Sequence, residues 1–357
     1  MNTFLLRGTL QQLSRREFLK LSGQVLFSLF WIPSLPSLHF PKQPELVPVT
    51  SPLSQGRILR NAVVLYDQPS LSGNSLETLQ RDRVYPITGL TVGDEEPAYN
   101  RIWYELNGEG FVHSGSVQPV ETQENPPELD IASKGQLAEV TVPFTDALRH
   151  PDQPQFVAYR LYYSSTYWVT DVKEDANGDL WYHIPDDKWG VSYYVNARHM
   201  RLIQADELEP ISANVPEEEK RIEVRLESQM VIAYEEEVPV FMTRAATGAQ
   251  FSDGDFRTPV GNYITNRKRP SRHMAAGDLA APNSYDLPGV PWVSYLTESG
   301  ISFHGTYWHN DFGKPRSHGC INLSSNAARW LYRLSTPSVP PYEHTWKEKS
   351  GTRVDVI

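Results

Sequence analysis

Hydrophobic and polar positions alternate over short runs through most of this chain. Ile222-Glu223-Val224-Arg225-Leu226 is the cleanest case. Every second residue there is apolar, the pattern of a strand that buries one face. Residues 230–234, 238–241 and 352–357 predict further strands, as do 62–66 and 138–144. One stretch follows a helical period: Ser324 or Ser325 as N-cap, then Ala327, Trp330, Leu331 and Leu334 on one face. The pattern predicts a mostly β protein with a short helix near its end.

Two segments resemble each other. Ile102-Trp103-Tyr104-Glu105-Leu106 is followed by Gly110-Phe111-Val112, and Leu180-Trp181-Tyr182-His183-Ile184 by Tyr193-Tyr194-Val195. Asn107-Gly108 and Asn177-Gly178 supply turns, so each segment reads as a small β-barrel. The predicted organisation is a module over 56–122, a second over 130–206, a polar linker over 207–219, and a third β-rich region over 220–357. The Pro/Ser-rich residues 41–55 read as a linker before the first module. Residues 272–298, with Pro282, Pro288, Gly289 and Pro291, read as a long loop walling a site. Trp292 and Tyr295 near its end are candidate substrate-binding residues.

The N-terminus reads as an address. Ser14-Arg15-Arg16-Glu17-Phe18-Leu19-Lys20 resembles the twin-arginine export signal. The apolar stretch that follows, residues 21–32, rises at about 1.5 Å per residue and is too short for a bilayer core of about 30 Å. The expectation is an exported protein of the cell envelope. Residues 1–40 are either cleaved or kept as the sole membrane anchor.

Composition adds three facts. The 357 residues suffice for several domains, and 9 Trp, 18 Tyr and 13 Phe can fill their cores. The net charge of −10, without a basic stripe, argues against a nucleic-acid partner. The single cysteine, Cys320, permits no intrachain disulfide.

The densest chemistry lies between Ile301 and Asn322, which hold that cysteine and His304, His309 and His318. In a strand, Ile301 and Phe303 share one face, and Ser302 and His304 the other. A thiol with an unperturbed pKa of about 8.5 needs a base or a positive setting to become a nucleophile. His304, brought across a turn, can accept its proton. Gly319, without a side chain, lets backbone N–H groups around Cys320 point to one spot, as an oxyanion site requires.

These residues resemble the L,D-transpeptidase catalytic domain, also called YkuD-like. That family carries a His, a spacer, then Ser/Thr-His-Gly-Cys-apolar-Asn; here stand His304 and Ser317-His318-Gly319-Cys320-Ile321-Asn322. Thr258-Pro259-Val260-Gly261 and Gly351-Thr352-Arg353-Val354 are supporting marks. The resemblance implies a β-sandwich with a short helical cap. It implies Cys320 as nucleophile, His304 as base oriented by the Gly305 carbonyl, and His318, Gly319 and Cys320 as the oxyanion site. Ser317 and Asn322 then shape the loop, and Arg316 stands beside them as a further candidate substrate-binding residue. It implies peptidoglycan stem peptides as substrate and no cofactor or metal. The two upstream modules resemble bacterial Src-homology-type barrels, which bind glycan strands or act as packing partners. The spacer from His304 to Ser317 is slightly short for the family, so His309 stands as a second candidate base.

Three other readings are open to these residues. The histidines and Cys320 could ligate zinc, but no second Cys pair exists. Papain-like wall hydrolases place Cys before His, the reverse of the order here. A non-catalytic wall-binding protein would leave the motif set idle. Water in place of an acceptor amine would make the enzyme a carboxypeptidase.

Overall fold

The closing strand runs back beside the first strand of the C-terminal region, and this pairing organises the domain that carries the motif. In the computed structural model, which describes residues 47–48, 55–94, 96–276 and 284–357, that region forms an eight-stranded sheet. Its strands are β1 (Lys220–Arg225), β2 (Met230–Glu235), β3 (Val238–Arg244), β4 (Gly261–Ala276), β5 (Tyr285–Tyr295), β6 (Ser302–Gly305), β7 (Ile321–Leu323) and β8 (Trp346–Val356). Their spatial order is β3-β2-β1-β8-β4-β5-β6-β7. The β1–β8 and β6–β7 pairs are parallel, and the others antiparallel. The alternation read in β1 buries Ile222 and Val224, both fully inaccessible, in the main core. The expected export signal over residues 1–40, and residues 41–54 apart from the Val47–Pro48 strand, lie outside the described residues.

The helix α1 (Ser325–Leu334) packs on β5, β6 and β7 through Ala327, Ala328, Leu331, Tyr332 and Leu334. Ser324 caps it, its Oγ accepting from the Ala327 N–H at 3.3 Å. The other end is capped by lysine side chains. Lys268 of β4, fully buried, donates to the carbonyls of Tyr332 at 2.6 Å and Ser335 at 2.5 Å. Lys220 reaches the Leu334 carbonyl at 3.3 Å. Lysine N–H groups at this end satisfy orphan carbonyls of the helix.

Two all-β segments precede this sheet, each with its own core. The first packs Ile58, Leu65, Leu79, Ile87, Leu106, Val112 and Val117 together. Its turn at Asn107-Gly108 puts both residues at positive φ, which Asn and Gly tolerate. The second consists of a five-stranded and a three-stranded sheet between Gln136 and Leu202. Its core includes Val140, Leu161, Tyr182 and Val195. Glu45–Ile357 form one compact unit. The second segment gives Leu137, Trp168 and Ile203 to the core of the C-terminal sheet.

Two expectations are corrected. The polar stretch 207–219 is stitched down: Leu208 and Ile211 pack on the core, and Glu207 pairs with Arg201 at 2.7 Å and Arg329 at 2.9 Å. Residues 272–298 are not a loop, because β4 and β5 form a long hairpin through most of that range. Pro288 and Gly289 mark a β-bulge, the register shifting between Arg272↔Val290 and Met274↔Leu287. The prolines that suggested a loop are accommodated by this irregular ribbon.

Candidate active site

Strand register brings the motif residues together. β6 and β7 pair in parallel with Phe303 opposite Ile321 and His304 opposite Asn322. Cys320, just before β7, is therefore level with Ser302. Phe303 and Ile321 point into the core, with exposures of 1% and 0%. The opposite face then carries Ser302, His304, Cys320 and Asn322.

The His304 Nδ1 sits 3.0 Å from the Gly305 carbonyl. A carbonyl can only accept, so Nδ1 carries a proton, which leaves Nε2 as the atom able to exchange a proton with the thiol. The half-buried Cys320 thiol contacts Ser302 Oγ at 3.6 Å and the Gly300 carbonyl at 3.7 Å. Burial pushes this thiol up, but hydrogen bonding and charge from His304, together with Ser302, outweigh burial and hold it below the usual thiol range.

The loop before Cys320 is fixed from both sides. The Ser317 hydroxyl donates to the Cys320 carbonyl and accepts from the Gly319 N–H at 3.1 Å. Thr258 Oγ1 donates to the Gly319 carbonyl at 2.8 Å and accepts from the Gly248 N–H at 2.9 Å. Gly319 adopts φ +115°, a conformation that L side chains rarely take. Its contribution is this turn. Its N–H is already engaged by Ser317, which corrects its expected role as an oxyanion donor. Among the described residues the Cys320 N–H has no protein acceptor.

Cys320 opens onto two clefts. One, of about 510 Å³, is lined by His304, His318, Arg316, Ser317 and Asn322, by Met274, Tyr285, Asp286 and Leu287 of the hairpin, and by Arg81 of the first segment. The other, of about 420 Å³, is lined by Tyr295, Gly300, Ile301, Arg272 and His273. Met274, Tyr285, His318 and Cys320 border both. The exposed His318 ring stacks on Phe251 at 4.8 Å and meets Phe256 edge-on at 4.6 Å.

Residues 219–356 match the YkuD family, the L,D-transpeptidase catalytic domain. The matched range begins beside β1 and ends with β8, so it coincides with the eight-stranded sheet. Among solved structures, an Enterococcus faecium L,D-transpeptidase mutant aligns at 21% identity over 39% of this chain and 50% of that one, with a TM-score of 0.30. An L,D-transpeptidase from Mycobacterium smegmatis aligns at 18% identity over 52% and 80%, with a TM-score of 0.32. The chain spans about half the length of the first solved structures it matches. No curated protein sequence matches it.

Within the matched region, several candidate residues take other places than expected. Trp292 is 2% exposed in the main core, edge-on to Tyr332, and does not line either cleft. Its φ of +60° breaks the alternation of β5, a conformation rare for a bulky residue. Tyr295 does line the second cleft but is 9% exposed beneath Arg267, 4.0 Å from its ring. His309 lies away from the thiol, with Nε2 2.9 Å from the Asn322 amide nitrogen. Burial lowers its pKa to about 3, so it is a neutral packing group. Asn322 is itself 3% exposed, and its Oδ1 has no partner. Arg316 borders the first cleft while its guanidinium pairs with the buried Asp311.

Sequence reasoning placed residues 272–298 at the wall of the site but singled out Trp292 and Tyr295 rather than Met274, Tyr285, Asp286 and Leu287, and it missed Arg81, because cross-strand neighbours and inter-segment contacts leave no local pattern. Thr258 had a signal, its Thr-Pro-x-Gly context, but not its role. Asp311 also escaped notice. It accepts from Tyr99 Oη at 2.7 Å, and Arg60 and Lys314 approach it at 3.4 and 3.1 Å, so it ties the first segment to the C-terminal region.

Proposed function

We propose that this protein is an exported L,D-transpeptidase that acts on peptidoglycan stem peptides. The carrying observation is a single activated thiol, Cys320, at the junction of two clefts. A two-substrate acyl transfer needs a separate approach for donor and acceptor to one nucleophile.

In the first half-reaction, Cys320 Sγ attacks the carbonyl of the L-centre residue in a donor tetrapeptide stem. His304 Nε2 takes the thiol proton, and the Cys320 N–H faces the developing oxyanion. Collapse breaks the peptide bond, and the imidazolium returns its proton to the departing D-amino acid. In the second half, an acceptor amine attacks the thioester, loses its proton to His304, and releases the thiol. Water in that place gives the carboxypeptidase product.

The family match of 219–356 and the Ser317–Asn322 motif support the chemistry. The Arg15-Arg16 motif and a substrate outside the cytoplasm support export. Incubation with a tetrapeptide-stem muropeptide should yield cross-linked dimers and an acyl-enzyme detectable by mass. Cys320→Ala should yield neither. Equal behaviour of the two proteins refutes the proposal, and release of the terminal D-residue without dimers makes the enzyme a carboxypeptidase.

A further inference from the structure

The second β segment grips the β4–β5 hairpin at its bulge, just where the ribbon turns to wall the clefts of Cys320. The Tyr167 ring lies over Gly289, so close that a Cβ there would stand 2.2 Å from it. Gly289 takes φ +69°, and its lack of a side chain admits the ring. Tyr167 Oη donates to the Pro288 carbonyl at 3.1 Å, and Tyr307 Oη donates to the same oxygen at 2.7 Å. Across the ribbon, Thr166 Oγ1 donates to the Pro270 carbonyl at 2.8 Å.

At the centre of this contact is His273, whose side chain is 2% exposed. Its Nδ1 lies 2.5 Å from Asp186 of the second segment, and its Nε2 lies 2.5 Å from Asp286 on the other hairpin strand. Asp286 also accepts from Tyr159 Oη at 3.0 Å and borders the Cys320 cleft. Asp186, whose side chain is fully buried, accepts from the N–H groups of Lys188 and Trp189, and Tyr193 Oη approaches it at 3.5 Å.

The groups around His273 favour its cationic form. Asp187 accepts from the His273 backbone N–H at 2.9 Å and pairs with Arg269 and Arg272. Lys188 is exposed, its ammonium over the Trp189 ring at 5.5 Å. Three aspartates thus face two paired arginines, and the third positive charge at the buried centre is the His273 imidazolium. Both of its N–H groups then donate, each to one carboxylate. A neutral ring has one donor and would leave one carboxylate facing a lone pair.

We propose that His273, Asp186 and Asp286 form a latch by which the second β segment positions the hairpin over Cys320, and that loss of the His273 proton opens it. His273 is a positioning residue, since it touches Asp186 and Asp286 and not the thiol. Burial alone lowers its pKa, but the hydrogen bonds and charges of Asp186 and Asp286 outweigh burial and raise it. The folded pKa is thus above the unfolded value of about 6.5. The latch contributes fully below that value and is lost as pH rises through the raised pKa.

The substrate readout rests on the proposed transpeptidase activity; the titration does not. In the full chain, NMR of the His273 ring should give a titration midpoint above the ordinary value, moving down in Asp186→Asn. For the donor stem peptide, wild-type KM should rise about fivefold as pH passes that midpoint, with kcat changing less. In His273→Gln, KM should be raised at all pH values and lose this step. Asp186→Asn keeps the acceptor for the Lys188 and Trp189 N–H groups and serves if the glutamine variant does not fold. A His273 midpoint at or below the ordinary value, or a KM step unchanged in both variants, overturns the latch. If wild type turns over no stem peptide, the transpeptidase reading falls and the titration still decides the latch.

Discussion

Thr258 Oγ1 donates to the Gly319 carbonyl at 2.8 Å, so the strand-edge segment before β4 holds the residue next to the nucleophile. The same oxygen accepts from the Gly248 N–H, and both groups are buried. Thr258→Val keeps the shape and removes both bonds. One buried bond is worth roughly 1–1.5 kcal/mol, so a loss of about tenfold in the Cys320 acylation rate is expected. Thr258→Ser should retain most of the rate. Equal acylation by the valine variant would show that the loop holds its shape without Thr258.

The Cys320 thiol is held below the usual range chiefly by His304 against the opposing effect of burial. In His304→Ala only burial and Ser302 remain, so the thiol pKa should rise. The pH profile of alkylation by iodoacetamide reads this directly, as a rightward shift of its rising limb. His309→Ala should leave that limb in place, because His309 faces Asn322 and α1 and not the thiol. The opposite order would make His309 the base.

Gly289→Ala meets two costs at once: a positive φ, and the Tyr167 ring at 2.2 Å from the new methyl. A loss of roughly 1–3 kcal/mol in unfolding free energy is expected from backbone strain of this kind. Adding Tyr167→Ala to the variant should relieve the clash and leave the φ cost, giving a positive interaction in a double-mutant cycle. Additive losses by denaturant unfolding would mean that the ring and the glycine are not in contact.

Lys268 is buried with two carbonyl partners at the end of α1. Burial pushes its pKa well below the lysine value. Its folded pKa lies below the unfolded one, so between the two values the unfolded chain binds the extra proton and stability is lost as pH falls from the unfolded value toward the folded one. Lys268→Met strips both carbonyls of their donor and should cost roughly 1–3 kcal/mol, read by denaturant unfolding. An unchanged midpoint would mean that Lys220 alone satisfies the helix end.

Strand alternation was legible where one face is core and the other solvent, as in β1, where Ile222 and Val224 are buried. The N-cap of α1 was legible because capping is local chemistry. The motif from Ser317 to Asn322 and the parity of Ser302 and His304 were legible for the same reason, since a strand of period two decides which side chains share a face. The sequence by itself therefore determined the β class, the helix, the lone thiol and the motif around it.

Tertiary structure alone decided the rest. Residues 272–298 read as a loop from their prolines, yet cross-strand pairing makes them a ribbon, and a positive φ turns Trp292 into the core. No local pattern announces Asp186 and Asp286 on either side of His273, or Arg81 at the mouth of the cleft, because the contacts join residues far apart in the chain. Long-range pairing selects which of the locally allowed faces is buried, and only the folded chain holds that information.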